Sequence, residues 1–196
     1  MSTTAVFAIE IVSSLLFFGL IAWWYAWPRL RSLPLVDALS LLLFVHCFRT
    51  VGLSLLVPAA GIDIPARAAQ EIGYGDLVSA ILAFGSIALL RFKSRAALPL
   101  VWLFSVAGMV DLVNAQLVGV QLNLLEHVLG PGWYIVTYFV PLLWVTHVLI
   151  VVLLLRRRGE LRQLVTARLG HHHPADHQDH DQDADSRLAE ALQLNS

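Results

Sequence analysis

The stretch that decides the fold is residues 133–158, WYIVTYFVPLLWVTHVLIVVLLLRRR. Residues 133–155 contain no Asp, Glu, Lys or Arg, and three arginines follow immediately. Because an α-helix rises 1.5 Å per residue, about 20 apolar residues are enough to cross the roughly 30 Å hydrocarbon core of a bilayer. The pattern therefore predicts a transmembrane helix that ends at a charged boundary.

The composition of the whole chain agrees with that helix. The 196 residues are 58% hydrophobic and 14% charged, with a mean hydropathy of +0.71. Soluble proteins are about 45–50% apolar and about 25% charged, so the expected surroundings of this chain are lipid. A net charge of -1 without a basic patch argues against nucleic acid as a partner. The single cysteine, Cys47, excludes an intramolecular disulfide.

Four more apolar segments precede the deciding stretch, and together they predict an all-α integral membrane bundle of five transmembrane helices. The first segment is too long for a cleaved signal peptide and is expected to remain as an anchor. Residues 76–90 form the shortest segment, so its ends are expected to extend into the neighbouring residues. Short interfacial helices or ordinary loops are expected at 64–72 and 122–129. The five predicted spans, within a membrane domain of residues 1–158, are residues 5–27, 35–59, 76–90, 97–120 and 133–155.

The connections between these spans alternate in charge, which predicts the orientation of the bundle. Basic residues follow spans one, three and five, whereas the other two connections hold only Arg67. Cytoplasmic loops carry an excess of Lys and Arg, so the N-terminus is expected outside and the C-terminus in the cytoplasm. Since Lys93 is the only lysine, the basic residues suggest a GC-rich bacterial genome and hence the bacterial inner (cytoplasmic) membrane. The basic residues that define this pattern are Arg29, Arg31, Arg91, Lys93, Arg95, Arg156, Arg157, Arg158 and Arg162.

Two segments follow the last span. Residues 159–169 carry apolar side chains at helical spacing beside arginines, which predicts a cytoplasmic amphipathic extension. Residues 170–196 are rich in His and Asp, cannot bury a core and are expected to be disordered. The tail is expected to be either plainly solvated or a loose site for divalent metal, because imidazole and carboxylate are suitable ligands. The candidate ligands are His171, His172, His173, His177 and His180.

Ionisable residues inside the predicted spans are the main candidates for function, because a charge at mid-membrane costs about 2.5–3.5 kcal/mol on insertion scales. Arg49 and Asp111 each lie 14 positions beyond the cytoplasmic start of their spans, so both are expected about 21 Å along them. Equal depth and opposite charge predict an ion pair, with Glu10 as a second acceptor. These residues predict a polar cluster in the outer half of the bundle that binds a small ligand, an ion or a proton, or that only fixes helix register. The predicted cluster consists of Glu10, His46, Arg49, Asp111 and Asn114.

Asp76 begins the third predicted span. Aspartate is a preferred N-terminal cap of helices, so this residue is expected to cap its own helix or, alternatively, to gate the polar cluster.

His46 and His147 lie on different spans at depths that are expected to differ by only about 4–5 Å. Two histidines from different spans can hold a b-type haem axially. They can also relay protons or form interhelical hydrogen bonds. All three roles remain open at this point, and no cofactor is assigned.

No established catalytic pattern occurs in the chain. A Walker loop, H-E-x-x-H, G-x-S-x-G and C-x-x-C are all absent, which favours a role other than an enzyme. The alternatives to ligand or ion binding are an accessory subunit with a membrane protein partner or a second copy of the chain, and a haem-b electron carrier.

Three motifs add a resemblance to a known group of proteins. They are Tyr74-Gly75-Asp76, the segment 111–115 (DLVNA), and the segment 138–147 (YFVPLLWVTH). The chain resembles a group of small uncharacterised bacterial multi-pass membrane proteins over nearly all of its length before the His/Asp-rich tail. That resemblance implies a location in the bacterial inner membrane and implies no activity.

Overall fold

The computed structural model describes residues 1–157, 159 and 160. Most of the predicted extension 159–169 and the whole tail 170–196, with its candidate metal ligands His171, His172, His173, His177 and His180, lie outside the described residues. Within the described residues the chain is helical, and its only β pairing is an isolated bridge between Asp63 and Val128. The five long helices are α1 Thr3–Ser32, α2 Leu35–Leu56, α3 Ala66–Arg91, α4 Ala97–Gln121 and α5 Gly132–Arg156.

All five helices are long and apolar enough to cross a membrane. Their outward faces carry large apolar side chains that remain exposed, including Trp23, Phe84 and Val120, which are 71%, 68% and 76% exposed. A soluble protein rarely leaves apolar surface of this extent uncovered, whereas lipid covers it without cost. The exposed faces therefore suit a membrane location.

Side-chain contacts place the arginines at the C-terminal ends of α1, α3 and α5 at one end of the bundle. Arg91 Nη1 lies 3.3 Å from Asp37 Oδ1 at the start of α2. Arg157 Nη1 donates to the carbonyl of Leu33, at 2.9 Å, and so ties the end of α5 to the end of α1. We call this the arginine-rich end of the bundle.

The loops after α2 and α4 meet at the opposite end. The Asp63 amide donates to the Val128 carbonyl at 2.7 Å. Gly130 has a φ of +48° and lies so close to the Gly61 carbonyl oxygen that a Cβ atom at Gly130 would overlap it. The loops are therefore packed against each other.

The structure corrects the start of the third span. The sequence placed it at Asp76, whereas α3 begins at Ala66, directly after Pro65. Proline is well tolerated at the beginning of a helix because its missing N–H needs no partner there. Arg67 Nε lies 2.7 Å from Glu71 Oε1 one turn later, and this spacing favours helix in the polar first turns. Asp76 consequently lies inside α3, and its predicted role as a helix cap is wrong.

The predicted interfacial helices are also corrected. Most of 64–72 is the first part of α3. Residues 122–129 form only a short 3-10 turn, Leu124–Glu126, because Asn123 adopts a left-handed conformation with φ +47° and breaks the helix after α4.

Three helices contain irregular segments. Turns of π-helix at Ala22–Ala26 in α1 and Ile135–Phe139 in α5 each end two residues before a proline, Pro28 or Pro141. Proline crowds the carbonyl four residues earlier, and the wider turn relieves that contact. In α2 the second half, Phe48–Leu56, is 3-10 helix, so the backbone tightens one residue before Arg49.

The helices differ in how much of each is buried. Only 11% of the most apolar part of α1 is buried inside the bundle, compared with 28–39% for the other four helices. The core between α2, α3, α4 and α5 is apolar nearest the arginine-rich end, where Leu39, Leu43 and Leu153 have no exposed surface. Farther from that end, the core becomes polar.

Candidate functional site

A charge cluster, defined here as Arg49, Asp76 and Asp111, joins three helices. Arg49 Nε on α2 donates to Asp76 Oδ1 on α3 at 2.7 Å, and Arg49 Nη2 donates to Asp111 Oδ2 on α4. The third guanidinium nitrogen, Nη1, is 3.4 Å from the carbonyl of Gly108. Because the guanidinium is a planar fork of five donors, one arginine can hold two carboxylates and a carbonyl simultaneously.

The two signs of charge in the cluster are buried to different degrees. The Arg49 side chain is 1% exposed, whereas the Asp76 and Asp111 side chains are 14% and 15% exposed. Ser79 Oγ, one turn after Asp76, lies 3.5 Å from Asp111 Oδ2. The guanidinium is therefore enclosed, and the carboxylates remain partly accessible.

The three charges lie at one level of the bundle. Arg49 and Asp111 are 14 residues from the arginine-rich ends of their helices and Asp76 is 15, which corresponds to about 21–23 Å of helical rise. The middle of a hydrocarbon core lies about 15 Å from either boundary. In a bilayer the cluster would thus lie beyond the midplane, away from the arginine-rich end.

Glycines make the room that this polar core needs. A Cβ atom on Gly52 would overlap the Asp76 carboxylate, and one on Gly75 would overlap the carboxylate of Asp111. A Cβ atom on Gly108 would lie 2.8 Å from His147 Nε2. Each glycine therefore admits a polar side chain from a neighbouring helix, which no larger residue at that position would allow.

A histidine pair, His46 on α2 and His147 on α5, lies next to the charge cluster. Both residues have no exposed surface, and their ring centroids are 4.2 Å apart. The ring of Phe104 on α4 stacks on His147 with a centroid distance of 5.0 Å and meets His46 edge-on at the same distance. His46 Nε2 is 3.0 Å from Thr146 Oγ1, whereas His46 Nδ1 and both ring nitrogens of His147 are buried without a hydrogen-bond partner.

This geometry does not fit the b-type haem that the histidine spacing had raised. A haem held by two histidines lies between the two ligating nitrogens, with the flat macrocycle separating the rings. The rings of His46 and His147 are tilted against each other at 4.2 Å, and Phe104 covers the other side of His147. There is no space between these rings for a macrocycle.

Two residues of the predicted cluster lie elsewhere. Glu10 on α1 accepts a hydrogen bond of 2.6 Å from Trp133 Nε1 at the start of α5, so its predicted role as the second acceptor for Arg49 is wrong. Asn114 is an exposed residue of α4. Three helical residues turn the chain through 300°, and the remaining 60° is enough to carry Asn114 away from the face that bears Asp111.

The second acceptor is Asp76, which the sequence had assigned to the start of a helix. The position of a span boundary decides this role, because ten residues of helix before Asp76 place it inside α3, 15 residues from the arginine-rich end, and not at the start of a helix. The Arg67–Glu71 spacing of four residues is the signal that favours helix before Asp76. The predicted ion pair between Arg49 and Asp111 is present.

Among residues 1–157, 159 and 160 no group of three or more His, Cys, Asp or Glu side chains is arranged to hold a metal ion. The charge cluster offers only two carboxylates, and both already accept from Arg49.

The fold and the site together define a class: an all-helical protein with five helices able to cross a membrane and a charged group inside the bundle. The chain belongs to the family described as Domain of unknown function (DUF8737), whose model matches residues 6–155. That range includes all five charge-cluster and histidine-pair residues. No curated protein and no solved structure matched the chain.

Proposed function

We propose that the protein spans the bacterial cytoplasmic membrane five times, with the arginine-rich end in the cytoplasm, and binds a cation, either a metal ion or a proton, at the charge cluster. The proposed orientation rests on the basic residues at one end of the bundle, since Lys and Arg are enriched on the cytoplasmic side. It places the charge cluster in the outer half of the membrane.

The charge balance of the cluster is the observation that carries this proposal. Two carboxylates, Asp76 and Asp111, contact a single guanidinium. With both carboxylates ionised, the group carries one negative charge that no other described side chain in contact with it compensates. An uncompensated charge inside a protein in lipid is costly, and a bound cation removes that cost.

Accessibility supports the same proposal. The carboxylates are 14% and 15% exposed, while the guanidinium they share is 1% exposed. A cation site needs a route to its carboxylates, and this partial exposure is compatible with one.

Cation binding can be tested by thermal unfolding of the full-length protein in lipid nanodiscs. Na⁺, K⁺ and Mg²⁺ would each replace choline at constant ionic strength, and the pH would be varied separately. A ligand that binds only the folded state stabilises it by about 2.7 kcal/mol at a concentration 100 times its Kd. We expect one of these cations, protons included, to raise the melting temperature in this way.

The matched variants are Asp111→Asn and Asp37→Asn. Asp111 lies in the charge cluster, whereas Asp37 pairs with Arg91 at the arginine-rich end. The response to the cation should disappear in the first variant and persist in the second. If the cluster only fixes helix register, the melting temperature of the wild type will show no cation-specific response. The double variant Arg49→Asp with Asp111→Arg will then regain the stability that each single substitution removes.

A second role, as a subunit of a membrane complex, is favoured by the exposure of α1. Helix α1 is the least buried of the five, and Leu16 and Phe17 on it are 57% and 61% exposed. A second copy or a membrane protein partner packed on α1 would cover this face.

Cysteine crosslinking at Leu16 in a Cys47→Ser background tests that role for a second copy, with Val120 on α4 as the matched control. A crosslinked dimer through position 16 alone supports the role, and equal crosslinking at both positions argues against it.

A further inference from the structure

His147 is the most poorly satisfied polar side chain of the bundle interior. It has no exposed surface, and neither ring nitrogen has a hydrogen-bond partner. A neutral imidazole presents one N–H donor and one lone pair, and each of these costs about 1–3 kcal/mol when it is buried unpaired. A protein that keeps such a residue at this position gives up stability for it.

The Nε2 edge of His147 is directed towards the charge cluster. A Cβ atom built on Gly108 would lie 2.8 Å from His147 Nε2 and 3.5 Å from Arg49 Nη1, so both side chains border the same small piece of α4 backbone. Gly108 is itself one helical turn from Asp111. The imidazole and the guanidinium that holds the carboxylates are thus immediate neighbours.

His46 offers a second free lone pair beside it. The Thr146 hydroxyl lies 2.9 Å from the Leu142 carbonyl and donates to it. In the tautomer that carries its proton on His46 Nε2, this nitrogen donates to Thr146 Oγ1, and His46 Nδ1 is a buried acceptor without a partner. The histidine pair therefore presents unoccupied proton-accepting nitrogens beside Arg49, whose guanidinium also holds the two carboxylates.

We propose that the cation bound at the charge cluster is a proton, and that His147 exchanges this proton with Asp76 and Asp111. The inference rests on the cation-binding function proposed above and names the ion. With one proton added, the group of Arg49, Asp76, Asp111 and the two histidines is neutral overall. The proton then has a carboxylate or an imidazole as alternative sites.

A metal ion fits the same place less well. Ca²⁺ takes six to eight oxygen ligands, and Mg²⁺ needs near-octahedral oxygen coordination. The described polar side chains in contact with the two carboxylates are the Arg49 guanidinium and the Ser79 hydroxyl, and no described group of three or more His, Cys, Asp or Glu side chains is arranged to hold a metal ion. A proton needs a single acceptor atom and no cage.

The transfer itself is a simple exchange. The O–H bond of a protonated Asp76 or Asp111 breaks, the proton moves to a ring nitrogen of His147, and an N–H bond forms there. The resulting carboxylate stays paired with Arg49, and the imidazolium is balanced by the second carboxylate. The reverse transfer restores the starting state, and no redox partner is needed.

The charged and titratable groups nearest His147 come from three other helices of the bundle. Helix α2 supplies His46 and Arg49, α3 supplies Asp76, and α4 supplies Asp111. On α5 itself the nearest polar side chain is Thr146. The only acidic residue of α1, Glu10, is bonded to Trp133 instead. We therefore assign a pH-dependent change in protonation inside the bundle to the two carboxylates and the two histidines.

Infrared difference spectroscopy of the full-length protein in nanodiscs tests the proposal. The carboxylic acid C=O band of buried Asp would be followed as the pH is lowered and, separately, as Na⁺, K⁺ or Mg²⁺ is added at fixed pH. We expect the band to grow as protons are added, to be insensitive to the metal ions, and to lose intensity in Asp76→Asn or Asp111→Asn. After a pH jump, His147→Gln should slow the appearance of the band by about tenfold or more, because glutamine cannot carry a proton.

The matched control is His127→Gln, which changes an exposed histidine in the loop after α4 and should leave the rate unchanged. If the band responds to a metal ion at fixed pH, the bound cation is not a proton, whereas the proposal of cation binding is retained. No response to either pH or metal ions removes both proposals. An unchanged rate in a folded His147→Gln protein overturns the part assigned to His147.

Discussion

At the scale of single residues, the packing of the interior depends on glycines that face a carboxylate or an imidazole of a neighbouring helix. Gly52, Gly75 and Gly108 lie on three different helices, and each faces a polar side chain of another helix. Small residues at helix interfaces usually let backbones approach each other. Here they admit two carboxylates and an imidazole, so the polar core and the close packing have the same cause.

Gly75→Ala is expected to destabilise the protein by about 1–3 kcal/mol, because its methyl group would overlap the Asp111 carboxylate in a well-packed interior. Gly19→Ala on α1 is the control. No atom lies within 4 Å of a Cβ at Gly19, so the substitution should stabilise the helix by about 0.5–1 kcal/mol. The melting temperatures of both variants in nanodiscs show whether stability falls in Gly75→Ala and rises in Gly19→Ala. Equal effects would mean that Gly75 is not held against Asp111.

Arg49→Lys is expected to be strongly destabilising even though it keeps the charge. Arg49 reaches Asp76 through Nε and Asp111 through Nη2, and a lysine has a single ammonium group on a flexible stem. Leaving one carboxylate unpaired inside the bundle costs about 3–5 kcal/mol. Arg67→Lys, which changes an exposed arginine that pairs with Glu71, should have little effect in the same unfolding measurement. Similar results for the two variants would show that the fork geometry of Arg49 is unimportant.

At the scale of helices, α1 is attached to the rest of the bundle through a few specific contacts. Trp133 Nε1 donates to Glu10 at 2.6 Å, and the rings of Phe7 and Trp133 meet edge to face at 5.5 Å. At the arginine-rich end, Arg156 lies over the Trp27 ring at 5.4 Å. Each of these contacts joins α1 to α5, so they attach α1 to the bundle along the face that packs on α5.

The hydrogen bond between Glu10 and Trp133 is expected to contribute about 1.5–3 kcal/mol, as is typical of bonds to a charged acceptor. A double-mutant cycle with Glu10→Gln and Trp133→Phe measures it as the coupling energy between the two substitutions. Purely additive effects would exclude the bond. Glu71→Gln with Trp133→Phe is the control cycle, because Glu71 pairs with Arg67.

At the scale of the whole molecule, charge is distributed unevenly along the bundle axis. The arginines lie at one end, the loops at the other, and the charge cluster lies about 21–23 Å from the arginine-rich end. This distribution leads to a prediction about orientation that is independent of any ligand.

In intact cells, a membrane-impermeant maleimide is expected to label a cysteine at Gln121 and not one at Ser32, both in a Cys47→Ser background. Gln121 ends α4 at the loop end, and Ser32 ends α1 at the arginine-rich end, and both are exposed. Ser32→Cys should become reactive only after permeabilisation. The opposite labelling pattern would reverse the proposed topology and place the charge cluster in the inner half of the membrane.

The sequence by itself determined the number of long apolar helices and the pairing of Arg49 with Asp111, because both follow from hydropathy and from counting residues along a regular helix. Only the tertiary structure decided that Asp76, and not Glu10, is the second partner of Arg49. That choice depends on where α3 begins and on which way each helix is rotated, and neither is encoded by hydropathy when a helix is apolar on all sides. The contact between His46 and His147 has the same origin: depth along the chain predicts proximity, but helix rotation and the space left at Gly108 bring the two rings together.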